Sequence, residues 1–218
     1  MENNSILSEI NSMIDFTLLD SRATYDDLER LCDVAYKNGY YSVCVNPCNV
    51  AYVKAYISKN FFDSIKVVSV IGFPLGANAS STKEFETKQA ICDGADEIDV
   101  VINIGRAKCF DYDYITKELK QIKKISRKHI VKAIIETCYF DDSEIIKLCQ
   151  CAIKARIDYV KTSTGFGTAG VSSDVIKLMK NTVGNKCKIK ASGGIRTRDQ
   201  AIKLIEMGAD RIGTSHVI

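Results

Sequence analysis

A lysine in the middle of a buried strand is costly, and the stretch Asp158-Tyr159-Val160-Lys161-Thr162-Ser163-Thr164-Gly165-Phe166-Gly167 contains one. A strand alternates its faces, so Lys161 shares a face with Tyr159 and Ser163, while Val160 and Thr162 point the other way. Such a lysine has to be paired, neutralised or used, and its use would be as an amine nucleophile. Lys132, in Ile130-Val131-Lys132-Ala133-Ile134-Ile135-Glu136, is a second lone cation in an apolar run, in phase with Ile134 and Glu136.

An internal echo relates Lys161 to other charged residues. Gly94-Ala95-Asp96-Glu97-Ile98-Asp99 and Gly208-Ala209-Asp210-Arg211-Ile212-Gly213 are one helix-stop-into-strand device. Residues 39–44 and 156–161 repeat its spacing, and residues 185–190 do so with Asn at the stop. Gly and Asn suit the left-handed conformation of a helix stop; Arg156 does not, so that stop is expected to be built differently. The fifth residue after each stop is then equivalent: Cys44, Asp99, Lys161, Lys190 and Gly213. This register brings Asp99, Lys161 and Lys190 to one interior, and Lys132 joins them by strand phase.

Crowded ammonium groups have a chemical use. An ordinary lysine, with a pKa of about 10.4, is only ~0.04% neutral at pH 7. A second cation nearby and partial burial disfavour the charged form, and a neutral amine can attack a carbonyl to form a Schiff base. Asp99 suits proton relay, or a structural ion pair with Lys132, and the two roles are compatible. The plainer reading of any one of these lysines is a strand-end side chain that snorkels to water, which fits all three together much less well. Two further loops suit phosphate: Ser192-Gly193-Gly194-Ile195-Arg196 and Gly213-Thr214-Ser215, with Gly165 as a further edge. Gly-Gly alone is an ordinary turn; its weight comes from position in the fold.

The elements that must position these groups alternate between short apolar runs and amphipathic stretches. Strands are expected near residues 15–19, 41–45, 66–71, 97–102, 130–135, 159–162, 187–190 and 211–213. Helices are expected near 24–38, 50–58, 80–92, 112–127, 141–155, 175–180 and 199–207, after a leading helix near 5–14. Thr24 with Asp27 reads as a capping box and Gly39 as a stop. Eight strands, each but the last followed by a helix, predict an α/β fold: one (β/α)8 TIM barrel over residues 1–218, with an extra N-terminal helix. A doubly wound open sheet is the alternative. It would have fewer strands, and the first strand lacks a Gly-x-Gly-x-x-Gly turn.

Composition narrows the function. A net charge of +3 is too small to imply nucleic acid, and no apolar run approaches a membrane span. The polar N-terminus lacks the order of a signal peptide. Nine cysteines without Cys-x-x-Cys, and two distant histidines (His129, His216), predict reduced thiols in a cytoplasmic protein and no metal site. Cys149 and Cys151 read as core. Lys117, Lys120, Lys123, Lys124, Arg127 and Lys128 read as a solvated helix face, since no recognition motif accompanies them. Phe61, Phe62 and Phe73 read as core, and Cys44 as a small lining residue before a reactive thiol.

Motifs along nearly the whole chain resemble those of deoxyribose-phosphate aldolase, a class I aldolase. They are Asp15-Phe16-Thr17-Leu18-Leu19, Val43-Cys44-Val45-Asn46-Pro47, Ile71-Gly72-Phe73-Pro74-Leu75-Gly76, Glu97-Ile98-Asp99-Val100-Val101-Ile102-Asn103, Val160-Lys161-Thr162-Ser163-Thr164-Gly165-Phe166, Lys190-Ala191-Ser192-Gly193-Gly194-Ile195-Arg196-Thr197 and Arg211-Ile212-Gly213-Thr214-Ser215. The resemblance implies reversible retro-aldol cleavage of 2-deoxy-D-ribose 5-phosphate to glyceraldehyde 3-phosphate and acetaldehyde, in deoxyribose phosphate catabolism. It implies no metal, no organic cofactor, and pairing as homodimers or homotetramers. It casts Lys161 as the Schiff-base lysine, Lys190 as the neighbour that lowers its pKa, and Asp99 and Lys132 as the proton relay. Asp15, Thr17 and Cys44 would line the substrate chain; Gly165, Gly193, Gly194, Arg196, Gly213 and Ser215 would hold phosphate.

Two departures stand against it. His216 replaces a second serine often found after Gly-Thr-Ser, and the sequence stops at Ile218, short of the tail and tyrosine some members carry. A weaker phosphate grip is the expectation. A different phosphosugar enzyme on the same barrel, or a non-catalytic phosphosugar-binding barrel, are the competing functions.

Overall fold

The computed structural model describes residues 10–218. Of the expected leading helix over 5–14, residues 5–9 lie outside them; Ile10 and Asn11 are helical, but Ser12 and Met13 form a turn and Ile14 already begins the first strand. Strands β1 (Ile14–Leu18), β2 (Ser42–Val45), β3 (Lys66–Ile71), β4 (Glu97–Val101), β5 (Ile130–Ile134), β6 (Tyr159–Lys161), β7 (Lys188–Ser192) and β8 (Arg211–Thr214) pair in parallel and in sequence order. β8 returns to β1, so the sheet closes and leaves no edge.

Helices α1 (Tyr25–Asn38), α2 (Val50–Phe61), α3 (Ser80–Cys92), α4 (Ile104–Lys108), α5 (Tyr112–Ser126), α6 (Asp142–Lys154), α7 (Ser173–Val183) and α8 (Arg198–Glu206) occupy the connections. Several of them have a clear sequence reason for their start. Thr24 and Asp27 form the expected capping box of α1, and Asp141 with Glu144 and Thr197 with Gln200 form the same device on α6 and α8. In α1 the buried residues Leu28, Leu31, Cys32 and Ala35 fall at helical spacing and press on the sheet. Each such Leu or Ile contributes ~1.5–3 kcal/mol by leaving water. The sequence pattern does not predict α4, which is too short to show a period.

The repeated helix stops explain the echo. Gly39, Gly94 and Gly208 all have positive φ, and the next residue's N–H closes onto the helix carbonyl five residues back. Arg156, against expectation, is built the same way: it adopts φ 58° and makes the same bonds, Arg156 N to Ile153 O and Ile157 N to Ala152 O. The shape is kept at the cost of an L side chain in the left-handed region, ~1 kcal/mol or more. In the fifth unit the positive φ falls on Gly184 (φ 55°) and not on Asn185.

The aspartate after three of these stops has a clear task. Asp96, Asp158 and Asp210 each accept a backbone N–H from the preceding strand: Val67 at 2.9 Å, Val131 at 2.7 Å and Ile189 at 2.8 Å. Their own N–H groups donate back to Val67, Val131 and Ile189 carbonyls. β3 is thereby clasped to β4, β5 to β6, and β7 to β8.

Two cores result. A large one lies between barrel and helices, and includes Cys149 and Cys151 as expected. A small one, Cys44, Val68 and Val70 with Leu19 and Phe73, fills the interior beside β2 and β3. Phe62 is not core: it is 91% exposed, because it ends α2 at φ 50° and turns outward. Cys92 likewise ends α3 exposed. The lysine-rich face of α5 is largely exposed, except that Lys123 reaches Asp158 at 2.5 Å. Among the described residues no helix is long and apolar enough to cross a membrane.

Candidate active site

The strand register places the charged side chains as the spacing predicts. Asp99 is opposite Lys132, Lys161 opposite Lys190, and Thr17 opposite Cys44. Residues level on neighbouring parallel strands face the same way, so all of these point inward. Asp99 is the centre. Its Oδ1 accepts from Lys132 at 2.8 Å, and its Oδ2 accepts from Lys161 at 2.9 Å and from Lys190 at 2.8 Å.

Below this layer lies a floor that the motifs alone do not assemble. Asp15 contacts Lys190 at 2.5 Å, Arg211 at 2.8 Å and Lys132 at 3.8 Å, and accepts from the Ser42 hydroxyl at 2.6 Å. Glu97 reaches Lys132 at 2.5 Å and Arg211 at 3.9 Å, and accepts from Tyr41 at 3.0 Å. The Arg211 guanidinium lies 3.7 Å from the Tyr41 ring centre. The charged members are all almost wholly buried; Lys161 is 3% exposed and Arg211 6%. The same two-residue alternation, read one step down from Asp99 and Gly213, leads to Glu97 and Arg211.

Protonation follows from this packing. Burial disfavours charge on every member, yet the Lys132, Lys161 and Lys190 ammonium groups outweigh it at Asp99, whose carboxyl is held well below the usual range. Asp15 is likewise held down against its burial by Lys190, Lys132 and Arg211. Burial would lower Lys132 and Lys190, but carboxylates raise both: Asp99, Asp15 and Glu97 for the first, Asp15 and Asp99 for the second. Lys132 and Lys190 are therefore fixed cations. Lys161 differs in having Asp99 as its one ion-pair partner among the described residues, and it shares that partner with two other lysines.

Lys161 is also the member of the set that lines a cleft. A cleft of about 720 Å³ opens above it at the C-terminal ends of the strands, lined by Thr17, Gly165, Gly193, Gly194, Arg196, Gly213, Ser215 and His216 among others. Every residue expected to hold phosphate thus shares one cavity with Lys161. Gly193 and Gly194 take φ of 94° and 78°, a turn in which L side chains are strained and the main chain can approach an anion. Gly213 leaves room for its neighbour: a Cβ there would stand 3.0 Å from Lys190 Cε, close enough to push that side chain. Of the three residues expected along the substrate chain, Thr17 lines the cleft, whereas Asp15 and Cys44 are sealed beneath it. Asp15 is drawn down by its cations, and Cys44 packs with Val68 and Val70.

One positioning residue carries no motif of its own. Glu136, at φ 50° just past β5, is 2% exposed and accepts from the Thr164 N–H at 3.2 Å and from the Thr164 hydroxyl. Thr164 Oγ1 in turn accepts from Phe166 N at 3.0 Å, so the loop carrying Gly165 is fixed from below. Phe166, which lines the cleft, meets Phe73 edge-on at 5.3 Å.

Comparison with known proteins agrees with this arrangement. Residues 10–215 match the profile described as DeoC/LacD family aldolase. A deoxyribose-phosphate aldolase from Thermococcus gammatolerans is 49% identical over 209 residues, covering 95% of this chain and 92% of that protein. One from Finegoldia magna is 48% identical, with 95% and 96% covered. Among solved structures, one described as "QR15, an Aldolase" superposes with a TM-score of 0.90 at 39% identity, covering 94% of this chain and 91% of that one. The deoxyribose phosphate aldolase of Aeropyrum pernix, described as a unique tetramer, gives 0.88 at 32% identity, with 95% and 88% covered.

Proposed function

The chain belongs to the DeoC/LacD family of aldolases, and on that premise we propose that it is a carbon–carbon lyase cleaving 2-deoxy-D-ribose 5-phosphate through a Schiff base on Lys161. The observation that carries the assignment is the placement of Lys161 and the phosphate-type loops in one cleft, with Asp99, Lys132 and Lys190 directly beneath the amine.

In this reading the Gly193-Gly194 turn, Gly165, Arg196, Gly213 and Ser215 hold the 5-phosphate and set the open-chain aldehyde over Lys161. The neutral amine adds to C1, and loss of water gives an iminium. The C3 hydroxyl then gives up its proton, the C2–C3 bond breaks, and its electron pair flows into the iminium as an enamine. Glyceraldehyde 3-phosphate leaves. Protonation at C2 and hydrolysis release acetaldehyde and restore the amine. Asp99 and Lys132, hydrogen-bonded to each other, with Asp99 also bonded to Lys161, exchange these protons with the substrate. Lys190 serves by its charge.

The protein acts on this phosphosugar in deoxyribonucleotide catabolism, in the cytoplasm, as a homodimer or homotetramer. Nine unpaired cysteines support a reducing compartment, and the tetrameric relative supports assembly. The test is covalent trapping. Incubation with acetaldehyde and borohydride, followed by peptide mass mapping, is expected to place the adduct on Lys161. Full activity with Lys161 unmodified would refute the mechanism.

A further inference from the structure

The ion-paired groups inside the barrel do not balance. Asp15, Glu97 and Asp99 supply three carboxylates; Lys132, Lys161, Lys190 and Arg211 supply four cations. With Lys161 protonated the set carries one surplus positive charge, and with Lys161 neutral it carries none. Burial makes that surplus expensive. Three cations are committed elsewhere: Lys132 spans Glu97 and Asp99, Lys190 spans Asp15 and Asp99, and Arg211 spans Asp15 and Glu97. Each carboxylate thus already touches at least two cations other than Lys161, and Asp15 touches three.

We infer that Arg211, at the closed end of the barrel and away from the substrate cleft, is a positioning residue that sets the working pH of Lys161 by completing the charge count of the interior. This inference rests on Lys161 being the Schiff-base amine. Arg211 does not touch Lys161; it acts through Asp15 and Glu97, which orient Lys190 and Lys132, and these orient Asp99. The floor is built to keep that guanidinium charged and still: Tyr41 lies against its face, and burial and the carboxylates of Asp15 and Glu97 surround it. Asp20, Arg22, Arg196 and His216 line the cleft above Lys161, and the groups packed beside and below it keep their sign. Asp99 on β4, Lys132 on β5 and Lys190 on β7 are ion-paired, and Cys44 on β2 has its thiol pushed up by burial. Glu136, above, is outside the ion-paired set, held by Thr164. Tyr159, on the strand of Lys161, lies toward Arg211 and Lys188.

Without Arg211 the interior holds three carboxylates against three cations only if Lys161 stays protonated. The amine then becomes harder to free. A unit charge removed roughly 10 Å away at an effective dielectric of about 20 moves a titration by about one pH unit.

The experiment measures the pH dependence of acetaldehyde trapping by borohydride at Lys161 in the full chain. Arg211→Met is expected to move the rising limb alkaline by about one unit, and Glu97→Gln to move it acid. The double variant R211M/E97Q restores the count while deleting both native side chains. It is expected to return the limb near its original position, as is Arg211→Lys. Folding of each variant is checked by the same urea transition, and the double variant supplies the comparison if R211M unfolds: a purely structural role predicts that it is worse than E97Q alone, with no return of the limb. A limb unchanged in R211M, through proton uptake by Asp15 or Glu97, overturns the inference, and so does a double variant that stays displaced. Absence of a Lys161 adduct in the unmodified protein at every pH would instead overturn the assignment of the nucleophile.

Discussion

Lys161 and Lys190 donate to one and the same oxygen, Oδ2 of Asp99, at 2.9 and 2.8 Å. Two ammonium groups on a single acceptor repel each other, while the acceptor attracts both. The difference between them lies in their other neighbours. Lys190 has Asp15 in addition, at 2.5 Å, and is sealed from solvent; Lys161 opens on the cleft. Of the pair, Lys161 is the one that can give up its proton without stranding a carboxylate.

Substitution Lys190→Leu therefore makes Lys161 a replacement counterion. Asp15 and Asp99 each lose a cation, the ammonium form of Lys161 is favoured, and the amine is freed only at higher pH. The activity optimum is expected to move alkaline by a unit or more, each unit being about 1.4 kcal/mol of differential interaction. A pH–rate profile checks this, and an unshifted profile would show that the neighbouring charge does not govern the amine.

Glu136→Gln tests the loop support. The amide keeps one acceptor oxygen but turns a donor toward Thr164, whose N–H and hydroxyl both now point at Glu136. Losing a charge-assisted bond of ~1.5–3 kcal/mol should raise KM for the phosphosugar roughly tenfold or more. Trapping of acetaldehyde, which has no phosphate to place, should proceed at its normal rate. If trapping slows in the same proportion, Glu136 acts on the amine and not on the phosphate loop.

Lys83 is a buried cation with no part in the chemistry. It bridges α3 to α5 and β4, donating to Glu118 at 3.0 Å and to the Val101 carbonyl at 2.8 Å. Burial lowers its pKa, and Glu118 opposes that shift. Lys83→Met leaves the Glu118 carboxylate buried without its cation and is expected to cost ~3–5 kcal/mol in urea unfolding. Lys83→Met with Glu118→Leu should recover most of that loss. A single variant as stable as the parent would mean that water reaches Glu118.

The barrel is legible in the sequence because its local signals agree: a capping box at Thr24, stops at Gly39, Gly94 and Gly208, and apolar runs between them. The upper layer of the site is legible for a related reason, since a lysine such as Lys132 or Lys161 contradicts the strand that holds it. Arg211 and Glu97 give no such signal because each begins its strand, where a charged residue reads as an ordinary exposed end. Only closure of β8 onto β1 shows that this end is covered, with Arg211 at 6% and Glu97 at 2% exposure. Glu136 is silent because its role depends on Thr164, 28 residues on. At Arg156 the residue type misleads: tertiary packing imposes a backbone shape that the side chain alone would not choose.

The clasps made by Asp96, Asp158 and Asp210 add a second tie within three two-strand staves of the closed wall, β3 with β4, β5 with β6, and β7 with β8. The groups proposed to react are dealt across those staves: Asp99 to the first, Lys132 and Lys161 to the second, Lys190 to the third. No stave holds a complete set, and none can bury its charge alone. On the proposed chemistry, a chain caught midway in assembly is expected to be chemically silent, so that aldehyde capture at Lys161 would double as a reporter that the cask has been hooped shut.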